Sequence, residues 1–494
     1  MRRLAVCVMV AGTASDVGKS VIATALCRVL AENGVAVAPF KAQNMSLNAA
    51  VTVSGGEIGR AQAAQAEAAG IEARVEMNPI LLKPEADSRS QVVVLGRATR
   101  SLGAREYWDR RRTLWPVVQS ALRTLREEFE VIVIEGAGSI AELNLARSDI
   151  ANLRVARHAS ARILLVGDIE RGGIFAQLLG TLELLGRDRP RVAGLLVNKF
   201  RGDPALFEEG ARLLRRRGRL PVLGVLPYRP DLGVPAEDAL GLRGTPGAID
   251  VAAIRLPHVS NFDDLEPLSA DGAAVRWVSD PGELGAPDLV VLPGSKTTIA
   301  DLAWLRTSGI AARLRALVDA GTPLLGICGG LQMLGAELAD PAGVEGRVAT
   351  VRGLGFLPLR TVFTARKTTV RVSGETCGGA PGIGRGISLA GYEIHVGETA
   401  RGSGCAPFAA IRRAGSSALI DDGAMSADGS VFGTYVHGLF ASDTLRTGVL
   451  RELARRKGRT FVAATRPADR YAPLSEWFRA AVDVPLLLRT TGLG

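Results

Sequence analysis

Apolar and polar positions are segregated into blocks along this chain. Residues 4–11, LAVCVMVA, form a short continuous apolar run, followed by a glycine-marked loop and an amphipathic segment to residue 30. A run of that length predicts a strand buried on both faces, and the helix after it predicts a parallel sheet. The alternation recurs with apolar runs at 35–40, 131–139, 162–166, 192–197 and 220–228, so residues 1–228 are expected to form a doubly wound α/β domain. Residues 229–250, with their Pro, Gly and charges, read as a linker. A second α/β pattern opens with a strand at 251–255, crosses a polar turn region, SNFDDLEPL, and continues through apolar runs at 288–296, 322–335 and 430–440, for a second domain over 251–445. Residues 401–404 and 421–429 read as loops, and the Arg-rich tail 446–494 as helical, with a packing role.

Composition narrows the picture. The 494 residues are 47% apolar, ample for cores in about two to four domains. The start, MRRLAVCVMVAG, has the charge and apolar run of a secretory signal, but the run is short and leads directly into a phosphate loop, which argues against that reading. No apolar stretch approaches the length of a membrane span. Five cysteines, odd in number and without CxxC spacing, suit a reducing cytoplasm and predict neither disulfides nor zinc. The net charge of +10 is spread along the chain without a nucleic-acid-binding motif, so an anionic small-molecule substrate, or solubility alone, accounts for it better than nucleic acid does. Only seven of the 60 basic residues are lysines, and where arginine serves elsewhere a retained lysine points to a need for a compact ammonium. Five of them, Lys19, Lys41, Lys83, Lys199 and Lys296, sit in glycine- or proline-marked blocks.

Two of these blocks carry chemistry. In 322–335, TPLLGICGGLQMLG, an apolar strand breaks into glycines and resumes as a helix, which is a nucleophile elbow with Cys328 at the turn. A thiol at a helix N-terminus is favoured as thiolate, and the free N–H groups there can hold an oxyanion. The alternative, a buried structural cysteine, does not account for the glycines around it. Of the four histidines, His437 in SVFGTYVHGLF emerges at a strand end and is the candidate base. Gly294 and Ser295, in the Pro-Gly-Ser turn of DLVVLPGSK, are candidate oxyanion donors, and Gly329 and Gln332 are candidate contacts for the same substrate. These pieces resemble a glutamine amidotransferase domain, in which the cysteine attacks the glutamine side-chain amide, releases ammonia and leaves a glutamyl thioester. Most such domains carry Glu two residues after the histidine. Here Leu439 stands there, as in the branch that works with a Cys-His dyad, and Glu393 in GYEIHVG is the candidate for orienting His437.

The other block, GTASDVGKS at 12–20, is a phosphate loop between strand and helix. Its backbone N–H groups curl around phosphates, Lys19 reaches the terminal phosphates and the Ser20 hydroxyl can join Mg2+. Gly12, Thr13, Asp16, Gly18, Lys19, Ser20, Lys41 and Asn198 are the candidate ATP contacts, and Glu135, at the end of the strand VIVIEGAGS, is the candidate Mg2+ contact beside Ser20. The loop is one residue longer than usual and resembles that of dethiobiotin synthetase, whose reaction phosphorylates a carboxyl-type oxygen. KAQNMSLN at 41–48 and SGGEIGRAQAAQ at 54–65 read equally well as substrate contacts or as a surface loop and amphipathic helix.

A half that releases ammonia joined to a half that spends ATP implies amide synthesis. The order KAQNMS, GRAQ, MNPILLKP, EGAGS, DIERGG, NKFRGD, PGSKTT, GICGG, GYEIH and TYVHGLF resembles the cobyric acid synthase family along nearly the whole chain. That resemblance implies amidation of the b, d, e and g carboxylates of adenosylcobyrinic acid a,c-diamide in cobalamin biosynthesis, with ATP and glutamine. Ile140 and Leu331 depart from the family's usual Pro and aromatic. The rival readings are another two-domain amidotransferase, either an a,c-diamide synthase or a cell-wall glutamate amidase, and, more remotely, a phosphate-loop switch protein. The a,c-diamide synthases typically carry an acidic residue just after their counterpart of Lys41, where this chain has Gln43-Asn44.

Overall fold

The structure is a computed structural model that describes residues 4–85, 89–145, 148–235, 244, 247–346, 349–464 and 469–493. Its first sheet has six parallel strands in the spatial order Val222–Pro227, Val192–Phe200, Arg162–Asp168, Val6–Gly12, Val131–Ser139 and Val37–Phe40. Strand order reverses at Val6–Gly12, the place where open α/β sheets leave a crevice at their carboxyl ends. Apolar runs cover both faces: Met9, Ile132, Ile134 and Leu165 belong to one core, and Val8, Val10, Val133 and Val166 to the core opposite. The second strand starts at Val37, two residues later than the apolar run predicts.

Between Phe40 and Val131 the chain builds an insert with its own four-stranded sheet, in the order Gln43–Met45, Ile80–Pro84, Arg89–Val94 and Arg97–Gly103. The insert also holds a hairpin, Ala49–Val51 with Glu57–Gly59, and the helix Arg60–Ala68. The block 41–48 is not a surface loop, since Lys41, Asn44, Ser46 and Asn48 are all buried.

A second sheet has seven strands in the order Ala273–Val278, Ile249–Ile254, Leu289–Leu292, Leu324–Ile327, Val431–Thr434, Ala424–Ser426 and Cys405–Ala406. The first five are parallel and the last two antiparallel. Its second strand begins at Ile249, inside the expected linker, of which residues 236–243, 245 and 246 lie outside the described residues. A long antiparallel ribbon, Leu359–Cys377 with Arg385–Arg401, crosses beside this sheet and was not visible as a sequence pattern. The expected loop at 421–429 carries the end of strand Leu419–Asp422 and all of Ala424–Ser426. The polar turn region folds as a 3-10 turn, Phe262–Leu265, and a short helix, Glu266–Ala270.

The tail divides between the two units. Helix Asp443–Arg456 packs Leu445, Val449, Leu450 and Leu453 into the core of the second sheet. Helices Ala472–Ala481 and Val484–Thr491 instead return to the first unit, where Leu474, Trp477, Phe478 and Leu487 share a core with Val8, Val10 and Leu26. Trp477 Nε1 donates to the Pro227 carbonyl at 2.9 Å, and Asp483 N to Leu223 at 2.8 Å. The packing role expected of the tail is thus exercised on two separate cores.

Buried charge ties the units together. Glu57 of the insert, 1% exposed, accepts from Lys83 of its own unit and from Lys367 of the ribbon, each at 2.6 Å. Burial pushes its carboxyl upward, but the two ammonium groups outweigh that and hold it down at about 2. Lys296 donates to Glu85 at 2.6 Å, Asn261 to the Ala49 carbonyl at 2.7 Å and Arg371 to the Val51 carbonyl at 3.1 Å. Three of the seven lysines therefore serve this seam as compact charges.

Phe478 is fully buried, so Phe478→Ala is expected to lower stability by about 3–5 kcal/mol. Urea denaturation checks this. An unchanged midpoint would show that the returning helices do not stabilise the first unit.

Candidate functional site

The register of the parallel sheet sets Glu135 beside Val10, next to the start of the phosphate loop. Gly12 is needed because a Cβ there would meet Ala14 O at 2.8 Å and Val17 Cγ2 at 2.7 Å. Gly18 caps the following helix at φ +94°, and the loop above it is pinned by Asn198 Nδ2, which donates to Val17 O at 2.9 Å. Thr13 N donates to Val166 O at 2.9 Å and its hydroxyl to Gln177 Oε1 at 3.3 Å. Asp16, itself at φ +56°, has its carbonyl taken by Lys199 Nζ at 2.5 Å, while its carboxylate stays exposed. Lys19 Nζ donates to the Ala14 carbonyl at 2.9 Å, folding over the loop. All eight sequence candidates thus gather at one end of the sheet, where a cavity of about 650 Å³ is lined by Asp16, Lys19, Ser20, Lys41, Asn44 and Arg111.

Glu135 is the electrostatic centre of this end. Its Oε1 accepts from Ser20 Oγ at 2.9 Å and Lys41 Nζ at 2.8 Å, and its Oε2 from Gln65 at 2.5 Å and Gln62 at 3.3 Å. Burial works against its charge, but the Lys41 ammonium and the hydrogen bonds from Lys41, Gln65 and Ser20 hold the carboxyl below its ordinary value. Gln62 and Gln65 were not singled out from the sequence; their i, i+3 spacing in RAQAAQ was the available signal. Among the described residues no cluster of three or more His, Cys, Asp or Glu is suited to a metal. The Ser20 hydroxyl and the Glu135 carboxylate are nonetheless the hard oxygen donors that Mg2+ takes together with water and phosphate, so this donor pair fits that ion.

In the second unit the elbow forms as expected. Strand Leu324–Ile327 ends at Cys328, which is held at φ +51°, ψ −107°, a conformation strained for a side chain, before helix Gly329–Leu334. A Cβ on Gly330 would stand 1.9 Å from the Leu292 carbonyl, and one on Gly329 2.8 Å from Ser295 N. These glycines let the Gly294–Ser295 strand press against the elbow, and the same closeness brings His437 Cε1 to 3.2 Å from where a Gly294 Cβ would be. Ser295 Oγ donates to Asp301 Oδ2 at 2.6 Å. Gln332 is held at both ends of its amide, accepting from Thr298 Oγ1 at 3.1 Å and donating to the Val396 carbonyl at 3.0 Å and Tyr435 OH at 3.1 Å.

His437 is almost fully buried beside the Cys328 thiol, whose Sγ donates to the Ile394 carbonyl at 3.6 Å. Its orienting partner is not Glu393. That carboxylate lies 3.3 Å from His395 and accepts two bonds from Arg413, at 2.6 and 2.9 Å. The residue on His437 is Asp264, whose Oδ2 is 2.7 Å from Nδ1, leaving the other ring nitrogen for the thiol. The second Asp264 oxygen accepts from Gly438 N at 2.7 Å, and Tyr392 stacks on the imidazole with centroids 5.5 Å apart. Leu439 lies buried in the core. Burial lowers the affinity of His437 for a proton, but Asp264, followed by Cys328, more than offsets it and pushes the ring up to about 10. The thiol therefore faces an imidazolium anchored by a carboxylate, an arrangement that activates a sulfur nucleophile.

Residues 8–240 match the CobQ/CobB/MinD/ParA nucleotide-binding domain, and residues 250–445 match the CobB/CobQ-like glutamine amidotransferase domain. A cobyric acid synthase of Sorangium cellulosum is 48% identical over 99% of this chain and 99% of its own length. This chain belongs to the cobyric acid synthase family. Further members of similar likeness are the cobyric acid synthases of Moorella thermoacetica, 49% identical over 92% of this chain and 90% of the relative, and of Chloroflexus aurantiacus, 49% over 94% and 95%. The family's two parts coincide with the two sheets, one closing around the phosphate loop and the other around Cys328.

Because the folded value of His437 lies above the ordinary 6.5, its ion pair stabilises the fold fully below that pH and loses this contribution as pH rises through about 10. Asp264→Asn should flatten the stability profile across that window and slow iodoacetamide alkylation of Cys328 at neutral pH. Alkylation at the wild-type rate would remove Asp264 from the site's electrostatics.

Proposed function

We propose that this protein uses ATP and glutamine to amidate the b, d, e and g carboxylates of adenosylcobyrinic acid a,c-diamide, giving adenosylcobyric acid. The observation that carries the reading is the presence in one chain of a phosphate-loop site around Glu135 and a Cys328–His437–Asp264 site, in a chain alike to cobyric acid synthases over nearly its whole length. In the second unit, the Cys328 thiolate attacks the glutamine carboxamide. N–H groups of Gly294, Ser295 and Gly329 stabilise the oxyanion, and His437 delivers its proton to the leaving ammonia. Water then hydrolyses the glutamyl thioester. In the first unit, Lys19 and the loop N–H groups align the terminal phosphate of ATP with a substrate carboxylate oxygen; its transfer releases ADP and gives an acyl phosphate, and ammonia attacks the acyl carbon and displaces inorganic phosphate to leave the amide. Mg2+, held by Ser20 and Glu135, would neutralise charge on the phosphates. Gln43 and Asn44 beside Lys41 favour this substrate over that of the a,c-diamide synthases, and an assembled Cys-His-Asp site argues against a switch protein.

Incubation with ATP, glutamine and the a,c-diamide corrinoid, followed by mass spectrometry, tests the reading; absence of any corrinoid mass gain overturns it. Cys328→Ala should abolish glutamine-dependent synthesis and retain synthesis from high ammonia, whereas Lys19→Ala should abolish both. Equal loss from both nitrogen sources in Cys328→Ala would contradict the division of labour.

One phosphate-loop site serving four carboxylates spread around a corrin ring cannot hold all four in one pose, so the substrate must turn or leave between steps. Partly amidated corrinoids should appear free in solution, in a preferred order. In a chase with excess unlabelled corrinoid, conversion of every labelled molecule to the tetra-amide without free intermediates would exclude release.

A further inference from the structure

The turn at residues 260–264 of the amidotransferase unit faces both ways. Asn261, at φ +51°, reaches the Ala49 carbonyl of the synthetase insert and also Tyr392 OH at 3.0 Å. Asp264 holds His437 and the backbone of Gly438. Between them, Asp263 Oδ2 accepts from Arg60 Nε at 2.8 Å, across the seam between the units. The other Asp263 oxygen is buried and has no hydrogen-bond partner among the described residues. Burial pushes this carboxyl above its ordinary range, the adjacent Asp264 adds to the push, and Arg60 opposes it. Two neighbouring carboxylates thus share one turn, Asp264 on the His437 ring and Asp263 on the Arg60 guanidinium, the charge that reaches it from the other unit.

Arg60 opens the nine-residue helix Arg60–Ala68. Two and five residues further on, Gln62 and Gln65 hold Glu135, the carboxylate shared by Ser20 and Lys41 at the phosphate loop. A second bond from Arg60, Nη1 to Glu67 at 2.8 Å, fixes the guanidinium to its own helix. The helix therefore touches the phosphate-loop carboxylate with two amides and the glutaminase turn with one guanidinium.

We infer that Arg60 is a positioning residue for the glutaminase reaction: by compensating Asp263 it seats the 260–264 turn, keeps Asp264 on His437, and makes the alignment of the base depend on the helix that grips Glu135. Engagement of Ser20 and Lys41 by nucleotide and carboxylate substrate changes what Glu135 binds. The helix transmits that change to the Asp263–Asp264 turn, so glutamine is hydrolysed fastest when an acceptor is being activated. This inference rests on the function proposed above.

The test compares Arg60→Ala, Arg60→Lys and Asp263→Asn with wild type in three assays: glutaminase with and without ATP plus corrinoid, synthesis from high ammonia, and alkylation of Cys328. Arg60→Ala should lower glutaminase kcat by about tenfold or more with little change in KM for glutamine, and should abolish its stimulation by ATP plus corrinoid. Ammonia-dependent synthesis should stay within about twofold of wild type, because the phosphate-loop contacts remain. Arg60→Lys should restore part of the glutaminase rate by keeping the charge, and Asp263→Asn, which removes the carboxylate without leaving a cavity, should lose the stimulation as well. If Arg60→Ala is too unstable to assay, the Lys and Asn variants decide. Wild-type stimulation in the variants, or equal loss of glutamine- and ammonia-dependent synthesis, overturns the inference. A wild-type protein that amidates no corrinoid would instead overturn the proposed function, and this inference with it.

Discussion

The first unit is organised around one buried carboxylate. Glu135 stands at the end of a central parallel strand, where nothing apolar can stabilise its charge, and it remains ionised because Lys41, Ser20, Gln62 and Gln65 converge on it. Those four groups come from the KAQ block, the phosphate-loop helix and the insert helix. Satisfying a single desolvated charge therefore locks three separate pieces of chain into one geometry. Because two of the donors ride on a helix that also meets the second unit, the same constraint reaches beyond the phosphate loop.

The seam between the units follows the same physics. Glu57 is buried between Lys83 and Lys367, and the charge is tolerable only while both ammonium groups are present. A small apolar cluster, Ala49, Val51, Leu81, Val93 and Ile394, fills the space beside it. Hydrophobic contact alone would leave the relative placement loose, whereas paired buried charges and the Asn261–Ala49 bond accept few alternatives. At the elbow the constraint is steric: Cys328 keeps a left-handed φ because the glycines on its C-terminal side allow the Leu292 and Ser295 backbones to approach within contact distance.

Whatever depends on neighbours a few residues apart was legible in the chain alone. Continuous apolar runs specified the buried parallel strands, the GTASDVGKS spacing specified the phosphate loop, and glycines around Cys328 specified the elbow; each is a statement about local backbone conformation and periodicity. The retained lysines were also legible as sites needing a compact charge, although not what they would pair with. Which distant groups meet was set by folding in three dimensions. Glu393 and Asp264 were both acidic residues near glycine or aromatic segments, and no local pattern ranks one above the other. Sheet register and the 260–264 turn put Asp264, 173 residues away in sequence, on His437, while Arg413 engaged Glu393. The pairing of Arg60 with Asp263 spans 203 residues and that of Lys367 with Glu57 spans 310. The tail helices likewise found the first unit's core because their apolar faces matched a surface built more than 200 residues earlier, Trp477 reaching Pro227 across 250. A one-dimensional pattern encodes which residues seek burial or charge partners; only the closed three-dimensional arrangement, in which every buried charge must be answered at once, selects the partner.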